Sequence, residues 1–225
     1  MTQNHPVVTD QAIVDRVVAR RGRLHAFTSL DPATTALVVI DLDLGTGRGE
    51  DQQITKDSDT INKIAATLRV QGGCVAWVTT PIQKATDNFR AIFGDERTRQ
   101  YEASAASGES KTLWPELTVD ENDIHATKEG FSAFFPGRSD LHEQLQLRGV
   151  KSVLIAGAVT NVCCDASARD AAELHYRVTM VSDALIGWSE QYNQATFATF
   201  FRCFGDVRPA SEIIRLASGA DTELL

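Results

Sequence analysis

Residues 151–170 constrain the fold of this chain more than any other stretch of its sequence. The apolar run 153–156 is typical of a parallel strand that is buried on both faces, and Gly157 permits a sharp turn directly after it. From residue 162 onward, alanines and charged residues recur at helical spacing, which predicts a helix. A strand that leads at once into a helix is the repeating unit of α/β folds, so the stretch predicts that class.

The same alternation of apolar runs and helical patterns recurs along the chain. Strands are predicted at residues 36–40, 74–79, 124–128, 153–156, 177–181 and 206–208. Further helices are predicted from Asp57 or Ser58 to residue 71, from Ser139 to residue 148, and at residues 189–204 and 211–217. Residues 44–56 are predicted to form a surface loop, and residues 82–120 an excursion with short helices. The alternation predicts an α/β fold with a doubly wound, mostly parallel six-stranded sheet flanked by helices.

Residues 1–30 precede this pattern and are predicted to form an N-terminal helical arm. Thr9 or Asp10 is a suitable helix cap, and Gly22 follows the predicted last turn. The apolar face of this helix consists of Ile13, Val14, Val17 and Val18. We expect it to pack on the rest of the domain or on a second subunit. Residues 31–225 are predicted to form one large domain with a sizeable core.

Composition narrows the expected partners of the chain. Its formal net charge is −8 and its pI is about 5.1, so no basic surface is expected to bind nucleic acid or an anionic membrane. No segment approaches the ~20 apolar residues that a membrane span needs. The expected partner is therefore a small-molecule substrate. The four cysteines form no CxxC pair, so the sequence indicates neither a disulfide framework nor a zinc site. Cysteines without such a pattern favour a reducing, cytoplasmic location.

Three reactive residues follow three different predicted strands. Asp41 follows the first, Lys128 ends the third, and Cys163 lies where the fourth gives way to a helix. Because parallel strands end at the same edge of a sheet, these side chains are expected to meet in one crevice. There the helix end would favour a thiolate, the carboxylate would accept the thiol proton, and the ammonium would stabilise both anions. The backbone N–H groups of Val159 and Cys163 are predicted to receive an oxyanion.

Each of these residues also has a simpler interpretation. An aspartate at a strand end is often only a turn or helix cap, so Asp41 alone is ambiguous. Lys128 alone fits a solvated surface lysine, and Cys163 alone fits a small buried apolar residue. The catalytic hypothesis therefore depends on the coincidence of the three placements.

The ordered motifs of the chain resemble those of the isochorismatase-like cysteine hydrolases over residues 34–216. The matching segments are ALVVID at residues 36–41, KEGFSAF at 128–134, GAVTNVC at 157–163, RDA at 169–171 and VSDA at 181–184. The resemblance implies a Rossmann-like three-layer sandwich, a catalytic triad of Asp41, Lys128 and Cys163, and a homodimer or homotetramer. It also implies a cis peptide bond at Ala158–Val159 that would direct the Val159 N–H at the oxyanion.

The differences from the family pattern refine this expectation. Isochorismatases proper lack the cysteine, so Cys163 indicates the amide-hydrolysing branch, which includes N-carbamoylsarcosine amidohydrolases and ureidoacrylate hydrolases. Nicotinamidases bind a metal through histidines after the second strand, whereas residues 78–83 contain no histidine, so we expect no metal and no cofactor. Residues 42–46 differ from the segment that usually follows the family's aspartate. The substrate is therefore not predicted from the resemblance.

Other candidate residues are less specific. Phe131 is a candidate pocket wall, and Trp77 and Phe134 are weaker candidates for substrate contact, with core packing as the alternative for all three. Cys164 directly follows the predicted nucleophile but points about 100° away along the helix, so it is predicted to fill the core. The remaining cysteines, Cys74 and Cys203, are also predicted to be buried.

The sequence therefore predicts a cysteine-dependent amidohydrolase that acts on a small linear carboxamide or ureido compound. The reaction would pass through a thioester and release ammonia or an amine. Two alternatives stay open. One is a catalytically silent binding or scaffold protein with the same fold, and the other is a hydrolase of a non-amide bond such as an ester or vinyl ether.

Overall fold

Strands of apolar and β-branched residues form the centre of the computed structural model, which describes residues 6–45, 51–81 and 84–219. In chain order they are β1 Thr35–Ile40, β2 Cys74–Thr79, β3 Ile124–Thr127, β4 Ser152–Ala158, β5 Arg177–Ile186 and β6 Asp206–Arg208. They form one six-stranded sheet in the order β3-β2-β1-β4-β5-β6, and each neighbouring pair is parallel. The predicted α/β architecture is confirmed.

Helices cover both faces of this sheet. Within the described residues they are α1 Gln11–Arg21, α2 Asp51–Val70, α3 Asp87–Ser107, α4 Leu141–Leu147, α5 Asp165–Glu173, α6 Glu190–Cys203 and α7 Ala210–Ala217. Successive side chains of a strand point to opposite faces, so Val38 of β1 joins the core under α1, α4, α5 and α6, whereas Leu37 joins the core under α2 and α7. This arrangement makes a three-layer sandwich. No helix in the described part of the chain is both long and apolar enough to cross a bilayer.

The N-terminal helix packs on its own domain. Asp10 caps α1 by accepting the Ile13 backbone N–H at 3.2 Å, and Val14 and Val17 are buried in the core that α6 also lines. Beyond the helix, His25 Nδ1 lies 3.0 Å from the buried carboxylate of Asp206 in β6. The segment is therefore attached to the sheet at two places.

Helix α2 begins earlier than predicted. It starts at Asp51, so Asp57 and Ser58 are buried positions inside the helix and not its cap. The predicted loop at residues 44–56 is therefore wrong from residue 51 onward, while residues 46–50 lie outside the described residues. The glycines that suggested a loop end at Gly49, and the residues that follow include good helix formers.

The described part of residues 82–120 contains short helices, as predicted. Helix α3 consists of two helical segments that meet at a kink at Gly94, whose φ of 78° is not helical, and a 3-10 helix, Glu109–Lys111, follows it. Thr86 caps α3 by accepting the Phe89 N–H at 3.1 Å. Only Thr98 and Ser104 of α3 are buried, which explains why its sequence shows no clear apolar stripe.

Candidate active site

Asp41 and Cys163 flank the centre of the sheet at its C-terminal edge. Asp41 directly follows β1, and Cys163 comes five residues after the last residue of β4, the strand next to β1. Strand order reverses between β1 and β4. The chain adds β2 and β3 on one side of β1 and then returns to add β4 on the other side of β1. In doubly wound sheets the crevice for a ligand opens at such a point.

Lys128 reaches this crevice from the edge of the sheet. Its backbone N–H donates to the Thr79 carbonyl at 3.0 Å, which continues the pairing of β2 with β3. Its side chain is 1% exposed, and Nζ lies 2.9 Å from Asp41 Oδ2 and donates to the Gly130 carbonyl at 2.8 Å. The buried ammonium is thus compensated by a carboxylate and a carbonyl, as burial of a charge requires.

Asp41 is held from several directions. Its backbone has a φ of 53°, in the left-handed region that aspartate tolerates better than most residues. Its backbone N–H donates to the Val78 carbonyl oxygen at 2.9 Å. Oδ2 pairs with Lys128, and Oδ1 accepts the Thr80 hydroxyl at 2.7 Å. Sequence reasoning missed Thr80, although its position just past β2, at the same edge of the sheet, could have indicated it.

Cys163 lies in a π-helical turn, Thr160–Cys164, that leads into α5. The predicted helix from residue 162 is therefore present, but its first turn is wider than an α-helix, a feature frequent at functional sites. The side chains of Asp41 and Lys128 both act electrostatically on the Cys163 thiol. The structure therefore brings together the three residues that the sequence placed after separate strands.

The segment before the turn approaches β1 very closely. Gly157 has a φ of 111°, and a Cβ atom there would lie 2.1 Å from the Ile40 carbonyl oxygen, so only glycine fits. The Ala158–Val159 peptide bond that follows is cis. Val159 then starts the π-helical turn, and its carbonyl accepts the Val162 N–H at 3.0 Å. The oxyanion role of the Val159 and Cys163 N–H groups stays a prediction.

The resting charge of Cys163 differs from the sequence expectation. Burial and the Asp41 carboxylate raise the pKa of Cys163 to about 12, although Lys128 acts in the opposite direction. Burial lowers the pKa of Lys128, but Asp41 and Cys163 outweigh it, so this pKa lies above its usual value. The prediction that the helix end keeps Cys163 as a thiolate is wrong, because burial and the adjacent anion dominate. The site instead holds a thiol beside a carboxylate–ammonium pair.

The three aromatic candidates fall into two groups. Trp77 is fully buried, with Nε1 donating to Asp123 at 2.7 Å, and Phe134 is 2% exposed and packs on Tyr176. Both side chains pack in the hydrophobic core, as the alternative interpretation expects, and their role as substrate contacts stays a prediction. Phe131 is 50% exposed and remains available to line a pocket.

The other three cysteines lie at different depths in the fold. Cys164 is fully buried in the core, as predicted, and its Sγ lies 3.9 Å from the Ala156 carbonyl. Cys203 is exposed and Cys74 is partly buried, so the predicted burial is wrong for Cys203, which ends α6 on the solvent side. All four cysteines are free. Among the described residues, no group of three or more His, Cys, Asp and Glu side chains is arranged to hold a metal ion.

Known proteins share this fold and these motifs. Residues 35–212 match the family model described as Isochorismatase domain. The uncharacterized isochorismatase family protein YwoC of Bacillus subtilis is 27% identical over 191 residues, and the match covers 83% of this chain and 95% of YwoC. Ureidoacrylate amidohydrolase RutB of Klebsiella pneumoniae is 27% identical over 212 residues, covering 80% of this chain and 86% of RutB. A cysteine hydrolase structure from Pseudomonas syringae has the same fold, with a TM-score of 0.77 at 20% identity, covering 88% of this chain and 99% of that one.

Proposed function

Because the chain belongs to the isochorismatase family, we propose that it is a cysteine-dependent amidohydrolase in which Asp41, Lys128 and Cys163 act as a catalytic triad. The observation that carries the proposal is the burial of a carboxylate–ammonium pair, 2.9 Å apart, beside the Cys163 thiol. Buried charges are costly, and a fold that retains them next to a nucleophile is suited to proton transfer.

The first chemical step is attack of Cys163 on the substrate carbonyl. Since the high pKa of Cys163 keeps it protonated at neutral pH, Asp41 takes the thiol proton as the sulfur–carbon bond forms. The tetrahedral oxyanion accepts hydrogen bonds from the N–H groups of Val159 and Cys163. Lys128 remains an ammonium throughout and balances the negative charge as it moves from Asp41 to the oxyanion.

The second stage releases the amine and regenerates the thiol. Protonated Asp41 donates its proton to the leaving nitrogen, and ammonia or an amine departs from a thioester on Cys163. Asp41, again a carboxylate, then accepts a proton from water as the water attacks the thioester, and returns this proton to the Cys163 sulfur as the carbon–sulfur bond breaks. The products are a carboxylic acid, or a carbamic acid from a ureido substrate, and the free thiol.

The proposed substrate is a small linear carboxamide or ureido compound. The similarity to a ureidoacrylate amidohydrolase over most of both chains supports this class. Phe131 supports an apolar wall near the site, because it lies directly after Gly130, whose carbonyl accepts from Lys128. No cofactor is part of the proposal.

A panel of amides and ureido compounds tests the proposal through ammonia release. We expect C163A to lower the turnover of any active compound at least about a thousandfold, as removal of a catalytic nucleophile does. The matched variant C164A removes a neighbouring thiol that contacts only the core, so folded C164A should keep the activity. Equal losses in both variants would contradict the assignment of Cys163.

The same panel separates the two alternatives. Turnover of esters or vinyl ethers without ammonia release from any amide would assign the chain to another hydrolase class. Binding of panel compounds without turnover would indicate a catalytically silent binding protein.

We also propose that the protein is a cytoplasmic homodimer or homotetramer that does not bind nucleic acid or membranes. The exposure of α3 supports an oligomer, because its two segments bury only Thr98 and Ser104 and therefore gain little from packing within one chain. The free cysteines are compatible with a reducing compartment. Light scattering of the purified protein should give the mass of a dimer or tetramer, and a monomer at micromolar concentration would contradict this proposal.

A further inference from the structure

A buried hydroxyl group connects the turn that carries Cys163 to the loop that follows Lys128. Ser167 lies in α5 and is fully buried. Its Oγ donates to the Cys163 carbonyl oxygen at 2.6 Å and accepts the Ala133 backbone N–H at 2.9 Å. Ala133 is itself fully buried, so its N–H depends on this hydroxyl for a hydrogen-bond partner.

The loop between Lys128 and Ala133 is therefore held at both ends. At one end Lys128 Nζ donates to the Gly130 carbonyl at 2.8 Å, and at the other end Ser167 holds Ala133. Through the Cys163 carbonyl, the same hydroxyl fixes the backbone of the nucleophile. A shift of this loop would therefore change the position of the ammonium relative to the thiol.

Two exposed hydroxyls among the described residues offer a comparison. Thr199 in α6 and Ser218 after α7 also donate to the carbonyl four residues earlier, at 2.9 and 2.8 Å. Both are exposed, and both bonds stay within one helix or its end. Ser167 differs because it also accepts a buried N–H from another segment.

We propose that Ser167 is a positioning residue that keeps the Cys163 thiol within reach of Asp41 and Lys128. Its hydroxyl takes no part in bond making or breaking. It acts through the backbones of Cys163 and Ala133, and misplacement of a reacting group by about 1 Å can slow an enzyme about a hundredfold. The effect on turnover rests on the proposed function, whereas the effect on thiol reactivity does not.

The test compares S167A, S167T and T199A in the full-length protein, each shown to be folded by circular dichroism. T199A removes a hydroxyl of the same type from an exposed helix face. The first measurement is the rate of Cys163 alkylation by iodoacetamide at pH 7, with the site identified by peptide mapping. The second is kcat and KM for the amide that the wild-type protein turns over fastest.

We expect S167A to lower kcat by about tenfold or more, with KM changed less than about twofold, because the thiol moves while substrate contacts stay. We expect S167A to speed alkylation, because Asp41, which disfavours the thiolate, acts less on a displaced thiol. S167T keeps the hydroxyl and should stay within about threefold of the wild type in both rates, and T199A should match the wild type. Wild-type alkylation and kcat in folded S167A would overturn the proposal. It would also be overturned if S167T departed from the wild type as far as S167A, since the hydroxyl would then not be the cause.

If the wild-type protein hydrolyses no amide, the proposed function fails but the alkylation comparison still decides the role of Ser167. Faster alkylation in S167A than in T199A would support positioning, and equal rates would reject it.

Discussion

The Cys163 thiol, the Asp41 carboxylate and the Lys128 ammonium share one buried site, so the protonation of the thiol depends on the other two groups. Burial and Asp41 favour the neutral thiol, whereas Lys128 favours the thiolate. In the proposed mechanism, Asp41 suppresses the thiolate before substrate arrives and accepts the proton during attack. A neutral thiol also reacts more slowly with oxidants, because the thiolate is the reactive form.

The pH dependence of Cys163 alkylation tests this description. Since the pKa of Cys163 is raised to about 12, its alkylation rate should still rise with pH above 9, where an ordinary thiol of pKa about 8.5 approaches its plateau. In D41N the carboxylate charge that disfavours the thiolate is gone, so the midpoint of the pH profile should move to lower pH. The rates are measured by peptide mapping after timed exposure to iodoacetamide.

The cysteines of the urea-unfolded protein provide the reference profile, which should level off near the ordinary thiol pKa. A wild-type profile for Cys163 that is already flat below pH 8 would show a preformed thiolate and contradict the assigned charge state.

At this scale the sequence predicted which side chains meet but not their charge. Asp41, Lys128 and Cys163 were predictable because parallel strands end at one edge. The thiol state was not, because burial of Cys163 and its closeness to Asp41 exist only in the folded chain. Thr80 was missed because a threonine after a strand has many ordinary roles, and only its 2.7 Å hydrogen bond to Asp41 distinguishes it.

At the scale of elements, the junction of β4 with the π-helical turn determines where the nucleophile lies. Gly157 lets β4 approach β1 so closely that a Cβ atom would lie 2.1 Å from the Ile40 carbonyl oxygen. Ile40 directly precedes Asp41, so the same contact sets the distance between the two sides of the crevice.

Replacement of Gly157 by alanine should therefore destabilise the fold strongly. The added methyl group meets the Ile40 backbone and alanine resists a φ of 111°, so we expect G157A to lower the free energy of unfolding by at least about 2 kcal/mol. Gly137 offers a matched control, since its φ is also positive, at 74°, but no atom lies within 4 Å of its Cβ position. G137A should cost about 1 kcal/mol from backbone strain alone.

Urea denaturation followed by circular dichroism measures both variants. If G157A proved as stable as G137A, the contact with Ile40 would not be the reason for glycine at this position.

Helices and strands were predictable where their burial leaves an apolar run or stripe in the sequence, and not elsewhere. The strands and α6 have buried faces that leave clear apolar runs or stripes. The first turns of α2 are polar, so the sequence does not show where this helix begins. α3 buries only Thr98 and Ser104, so its sequence shows no apolar stripe. β5 extends to Ile186. The prediction ended this strand at Val181 because Ser182 and Asp183 interrupt its apolar run.

At the scale of the whole molecule, the strand order explains why distant residues can form one site. Asp41 and Cys163 lie on the two sides of the point where the order reverses, and Lys128 reaches them from β3 across β2. Alternating apolar runs and helical patterns were sufficient to predict this architecture. The loops around the site were not predictable, because their sequences carry no periodic signal.

Intact-protein mass spectrometry after rapid acid quench tests the central claim that these three residues form one catalytic unit. During turnover of an active amide, the wild-type protein should gain the mass of the substrate minus ammonia or the departing amine, and peptide mapping should place this acyl group on Cys163. C163A should gain no mass, and D41N should acylate at least about a hundredfold more slowly because it lacks the base. An acyl group on any other residue, or undiminished turnover in C163A, would contradict the account.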